Sequence, residues 1–134
     1  MAQRSPPNRG RALIVEDEIL FALNLEAEMH TLGFDICDLA ANGHQASILA
    51  MSNQPDVVLM DVNLEGGREG IEVGRWLRTM YEAPIVFISG YTDHDTVERI
   101  HEQVPDAPVL SKGSYHHLLA AAVSEVTPPP ALGP

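Results

Sequence analysis

Val57-Val58-Leu59-Met60-Asp61 is the stretch on which the reading of the fold turns. Four apolar residues run without polar alternation and stop at a carboxylate, the pattern of a strand covered on both faces at the centre of a parallel sheet. Pro55 and Asp56 turn the chain into it, and Pro84 introduces a second such run, Ile85 to Ile88. Upstream, Ala12 to Val15 reads as a first buried strand. From Ile19 to Leu32 the chain places Phe21, Leu25, Met29 and Leu32 on one helical stripe, and Gly33 stops that helix. Phe34 to Ala40 then reads as a strand and Gly43 to Ser52 as a helix with Ala46, Leu49 and Ala50 inward.

Downstream, a glycine-rich loop through Gly66, Gly67 and Gly70 leads to a helix from about Ile71 to Tyr81. Thr92 or Asp93 can cap a short helix ending near Gln103. Val109-Leu110 makes a brief last strand, and Ser114 can cap a final helix to about Val126. Strict alternation of five strands and five helices implies an α/β fold with right-handed crossovers and helices on both faces. The expected arrangement is the flavodoxin-like doubly wound (βα)5 sheet of order 2-1-3-4-5. Residues 1–10 and 127–134, rich in proline and other turn formers, are expected to be disordered ends around one domain over 11–126.

The net charge of -11, from 19 acidic against 8 basic residues, argues against binding nucleic acid or anionic membrane. A single cysteine, Cys37, excludes an internal disulfide and reads as a packed small hydrophobe. Without a leader or long apolar span, the expected location is cytoplasmic. The six histidines are scattered or splayed and read as surface imidazoles, which disfavours zinc.

In an open parallel sheet the functional crevice lies beyond the carboxyl ends of the strands, where strand order reverses. There the sequence puts Glu16 and Asp17 after the first strand, Asp61 after the third, Ser89 after the fourth and Lys112 after the fifth. At an effective dielectric of about 20, two like charges about 4 Å apart cost roughly 4 kcal/mol, so such a cluster should bind a cation or hold a proton. Magnesium suits it, since that ion takes one or two carboxylates and reserves positions for phosphate oxygens. Lys112, the only lysine in the chain, can pair with the carboxylates and later with a phosphoryl oxygen. Ser89 taken alone reads as a turn hydroxyl, but its alignment with the other strand ends makes it a donor to such a group.

These residues make the sequence resemble the receiver domain of bacterial two-component response regulators over nearly all of residues 11–126. The resemblance rests on Val15-Glu16-Asp17-Glu18, Val57 to Leu64, Pro84 to Tyr91 and Val109-Leu110-Ser111-Lys112, in that order. It implies Asp61 as phosphoacceptor, Glu16 and Asp17 as the acidic pair, Asn63 as a metal ligand through its backbone carbonyl, and Ser89 and Lys112 as the phosphoryl-sensing pair. The implied cofactor is Mg2+. The implied phosphodonor is a sensor histidine kinase or a histidine phosphotransfer protein, with a downstream protein partner reading the result from a monomer or weak dimer.

Two positions depart from the pattern. Val109 stands where an aromatic switch is usual, and Gly113 where a proline usually follows the lysine. Phe87-Ile88-Ser89-Gly90-Tyr91 is similar to the Phe-Ala-Thr-Gly-Tyr signature of an atypical, often single-domain subgroup, which makes Tyr91 the candidate switch aromatic.

Three rival classes are weighed against this reading. A phosphohydrolase with an aspartate nucleophile wants Asp-x-Asp, and Asn63 cannot shuttle the proton. A nucleotide or flavin binder needs a phosphate cradle where Glu16-Asp17-Glu18 would repel phosphate. A receiver-like docking module that never turns over phosphate fits less well with an intact acidic pair, acceptor, hydroxyl and lysine.

Overall fold

The computed structural model describes residues 9–64, 69–90 and 92–128. Five strands alternate with five helices: β1 (Gly10–Val15), α1 (Ile19–Thr31), β2 (Phe34–Ala40), α2 (Gly43–Asn53), β3 (Val57–Asp61), α3 (Glu69–Tyr81), β4 (Ile85–Ser89), α4 (His94–Gln103), β5 (Val109–Ser111) and α5 (Leu119–Val126). All pairings are parallel, in the order β2-β1-β3-β4-β5. The central strands β3 and β4 are buried at every position, as their unbroken apolar runs require.

Alternation along each strand divides the core in two. Leu13, Val15, Val58, Met60, Ile85 and Phe87 pack with Ala46, Ala50, Ile71, Leu77 and Ile100, under α2, α3 and α4. Ala12, Ile14, Leu59, Val86 and Ile88 point the other way, toward Leu25, Met29, Leu119 and Val123 of α1 and α5. Cys37 sits at an irregularity in the β1–β2 register, where Ala12 faces Ile36 and Leu13 faces Asp38, and packs against the first of these clusters. Desolvation raises its thiol pKa, in keeping with a packed small hydrophobe.

Local signals explain most boundaries. Gly33, at φ +97, closes α1 by donating to the carbonyl of His30. Asn42 and Asp93 cap α2 and α4 through Gln45 N–H and Thr96 N–H. α1 buries Ala22, Leu25 and Met29, with Phe21 and Leu32 packed at the margin.

Several bounds differ from the sequence reading. β1 takes in Gly10, ahead of the domain start at residue 11 that the sequence suggests, because Arg9 N–H already pairs with the Gly33 carbonyl. α3 begins at Glu69 and includes Gly70, two residues ahead of the start that the glycine-rich loop suggests. The last helix is not continuous from Ser114. A 3-10 turn, Tyr115–His117, precedes α5, and the Ser114 side chain makes no capping bond. The tighter turn directs Tyr115 into the core at 2% exposure. Thr127, placed in the tail, is buried, and its hydroxyl donates to the Val123 carbonyl at 2.7 Å, ending α5. Gly66 and Gly67, and the terminal residues 1–8 and 129–134, lie outside the described residues. No described helix is long and apolar enough to cross a membrane.

Candidate functional site

The rim of the sheet is assembled by strand register. β1 and β3 run side by side with Val15 opposite Met60, so the residues that follow, Glu16 and Asp61, emerge as neighbours. β3 pairs with β4 through Asp61 and Ile88, β4 pairs with β5 through Ser89 and Ser111, and Lys112 N–H donates to the Ser89 carbonyl at 2.9 Å. Gly70 brings the start of α3 hard against this edge. A Cβ there would collide with the Asp61 carbonyl oxygen and lie 2.8 Å from Val62 Cα. Only glycine allows that approach.

One carboxylate oxygen from each of Glu16, Asp17 and Asp61 lies within 4.8 Å of the others. Lys112 Nζ stands among the acids, 2.8 Å from Glu16 Oε1, 3.5 Å from Asp61 Oδ2 and 3.6 Å from Glu18 Oε1. Backbone amides fix the two inner carboxylates: Glu18 N–H donates to Glu16 Oε2 at 2.9 Å, and Asn63 N–H to Asp61 Oδ1 at 3.1 Å. The Ser89 hydroxyl, fully buried, donates to Asn63 Oδ1 at 3.3 Å. Asp17 is exposed, whereas Glu16 and Asp61 each keep 4% of their surface, so the inner carboxylates form the floor of the rim.

Burial pushes the Glu16 carboxyl up to about 7. The Lys112 ammonium and the Glu18 amide offset part of that push, and the Asp61 charge adds to it. Desolvation likewise raises Asp61, against the opposing pull of the Asn63 amide, Lys112 and a hydrogen bond with Glu16. Desolvation alone would lower Lys112, but the bond to Glu16 and the charges of Asp61, Glu16 and Glu18 outweigh it and raise its pKa. One lysine therefore leaves the two buried acids under-compensated, an imbalance that a divalent cation would relieve. An all-oxygen donor set with an open side is the kind Mg2+ takes.

Five residues placed here from sequence, Glu16, Asp17, Asp61, Ser89 and Lys112, do converge, and Asn63 joins them through its amide and side chain. Tyr91 lies outside the described residues. Val109 is half-buried and packs under α2, α3 and α4. All six histidines are exposed. Three participants were not singled out for the site: Glu18, Phe21 and Tyr115. Phe21 was assigned to the core stripe of α1, yet Lys112 Nζ sits 4.8 Å from the centre of its ring, and Tyr115 meets that ring edge-on. Their signal is positional only, since Glu18 and Phe21 fall within a helical turn or so of the acidic pair, and Tyr115 three residues after Lys112.

Residues 12–123 match the response regulator receiver domain family. The chain is 32% identical over 111 residues to the transcriptional regulatory protein PdtaR of Mycobacterium tuberculosis, which covers 83% of this chain and 54% of that protein. It is 34% identical over 82 residues to the phyllosphere-induced regulator PhyR of Methylorubrum extorquens, 60% of this chain and 31% of that one. The chain thus spans about half or less of these curated relatives. Among solved structures, the REC domain of the Erythrobacter litoralis PhyR response regulator aligns with a TM-score of 0.74 at 26% identity, covering 94% of this chain and 98% of that domain. The signal receiver domain of a modulated diguanylate cyclase from Desulfovibrio desulfuricans G20 gives 0.72 at 30% identity, covering 87% and 94%.

Proposed function

Because the chain belongs to the response regulator receiver domain family, we propose that it is a phosphorylation-controlled signalling switch in which Asp61 accepts a phosphoryl group from a phosphohistidine on a sensor kinase or phosphotransfer protein. The observation that carries this is the meeting of Glu16, Asp17 and Asp61 at one rim beside a solitary ammonium. Glu16, Asp17, Asp61 and the Asn63 carbonyl would hold Mg2+, which when bound neutralises acidic charge and orients phosphoryl oxygens.

The Asn63 amide fixes the plane of the Asp61 carboxylate, so the attacking oxygen meets phosphorus without a search through rotamers. An Asp61 oxygen bonds to phosphorus as the P–N bond breaks, and the donor imidazole leaves with the electron pair and takes up a proton. Lys112 moves from Glu16 to the arriving phosphoryl oxygens and offsets their charge, which makes the protein's part chiefly positioning and neutralisation. Ser89 then exchanges Asn63 for a phosphoryl oxygen, drawing the end of β4 inward and altering the surface around α4.

Exposed Ile19, Leu20, Leu23 and Leu118 give the helices near the rim an apolar surface suited to a protein donor or reader. Intact-mass analysis after incubation with an acyl phosphate and Mg2+ tests the acceptor. The parent gains one phosphoryl group and Asp61→Asn gains none. Equal labelling of the two proteins refutes the assignment. A parent that stays unlabelled and shows no Mg2+-dependent spectral change is instead a passive docking module.

A further inference from the structure

Lys112 has a flexible four-carbon stem and three carboxylates within reach, so something must select where its ammonium rests. The two inner acids are buried, whereas Glu18 is largely exposed and would draw the ammonium outward. The face of Phe21 lies on the remaining side, its centre 4.8 Å from Nζ, inside the range at which an aromatic quadrupole attracts a cation. Only a fifth of the lysine side chain remains exposed.

The ring is itself held. Tyr115, buried at 2%, meets Phe21 edge-on with centroids 5.2 Å apart and planes at 68°. Tyr115 stacks on His116 at 4.3 Å, and His116 Nδ1 lies 2.7 Å from Glu28 Oε1. Phe21 and Glu28 are two turns apart on the same face of α1, so the path of contacts leaves that helix at one end and returns at the other. The 3-10 turn in place of a longer α5 is what puts Tyr115 and His116 in this path.

We propose that Phe21 is a positioning residue for phosphoryl transfer, holding the Lys112 ammonium at the inner carboxylates, on Glu16 and within reach of Asp61, and that Tyr115 locks the Phe21 ring in place. Its kinetic consequence rests on Asp61 being the acceptor. The placement of the ammonium does not.

Because Lys112 is the only lysine, 13Cε-lysine labelling of the full chain gives one ε-methylene signal, shifted upfield by the ring current in the parent. Phe21→Leu, which keeps apolar bulk but no π face, moves that signal to the value of an unfolded lysine. It also slows labelling of Asp61 by acyl phosphate and Mg2+ by roughly threefold to thirtyfold. Phe21→Tyr restores both. An unshifted signal in the parent, or Phe21→Leu that keeps the parent's shift and rate, overturns the proposal. If the parent accepts no phosphoryl group, the reading of Asp61 falls, and the resonance alone decides whether Phe21 places the ammonium.

Discussion

A groove between two helices and the cluster of buried charge lie in different places. Between α3 and α4 a groove of about 600 Å3 is lined by Ile71, Arg75, Trp76 and Arg99 among others, and none of the rim carboxylates borders it. At the rim beyond β1, β3 and β5, burial instead raises the carboxyl groups of Glu16 and Asp61 above their ordinary range. Volume marks where a whole organic molecule can be engulfed. A cation and a phosphoryl group handed over by another protein need only a few convergent oxygens on an accessible edge, and strand topology supplies those without a cavity. The groove reflects how loosely two helices pack, whereas the rim reflects charges held together against their repulsion.

The contrast can be broken at either end. Its largest expected effect is at the rim: Lys112→Ala should slow acyl-phosphate labelling roughly a hundredfold, because a charge aimed at the transferring group is lost. Single-turnover mass spectrometry reads this directly, and a rate near the parent's would mean the ammonium is a bystander. Next, Gly70→Ala should cost about 1–3 kcal/mol in urea unfolding, since the added methyl meets the backbone leaving β3. A neutral outcome would show that α3 can stand off from the rim at no expense.

Acidity should act on the rim as well. The folded pKa of Glu16, about 7, lies above its ordinary 4.5, so the stabilisation is complete below 4.5 and is lost as pH rises through 7. Asp61, also raised, works in the same direction. Metal-free protein should therefore lose about 1–3 kcal/mol of stability between about pH 5 and about pH 7.5. Mg2+ and Glu16→Gln should each flatten that slope, and an unchanged slope in Glu16→Gln would place its origin elsewhere. Smallest of all, Arg75→Ala and Arg99→Ala in the groove should leave the labelling rate within about twofold and stability within about 0.5 kcal/mol. A loss like that of Lys112→Ala would make groove and rim one functional unit.

The strand order, both core faces and the carboxylate rim were legible because each rests on period and position. Short β-branched apolar runs bounded by turn formers suit central strands, and residues after parallel strands gather at one edge. The beginning of α3 was missed because Gly70 signals loop in sequence, while its service is to let two backbones touch. Ser114 resembles a helix cap, but burial of Tyr115 overrode the local preference and tightened the turn. The stripe places Phe21 against the core, as the structure has it, but leaves its polar neighbour unnamed. A helical stripe records that a side chain faces inward, not whether it meets aliphatic carbon or an ammonium.

Chain order gives the rim a further property. Glu16 and Asp61 leave the ribosome long before Lys112, which follows the last and shortest strand. Until β5 docks beside β4 and Tyr115 closes on Phe21, the acids stand together without the Lys112 counter-charge. The balance of charge at the rim is thus completed only when the shortest strand takes its place at the edge of the sheet.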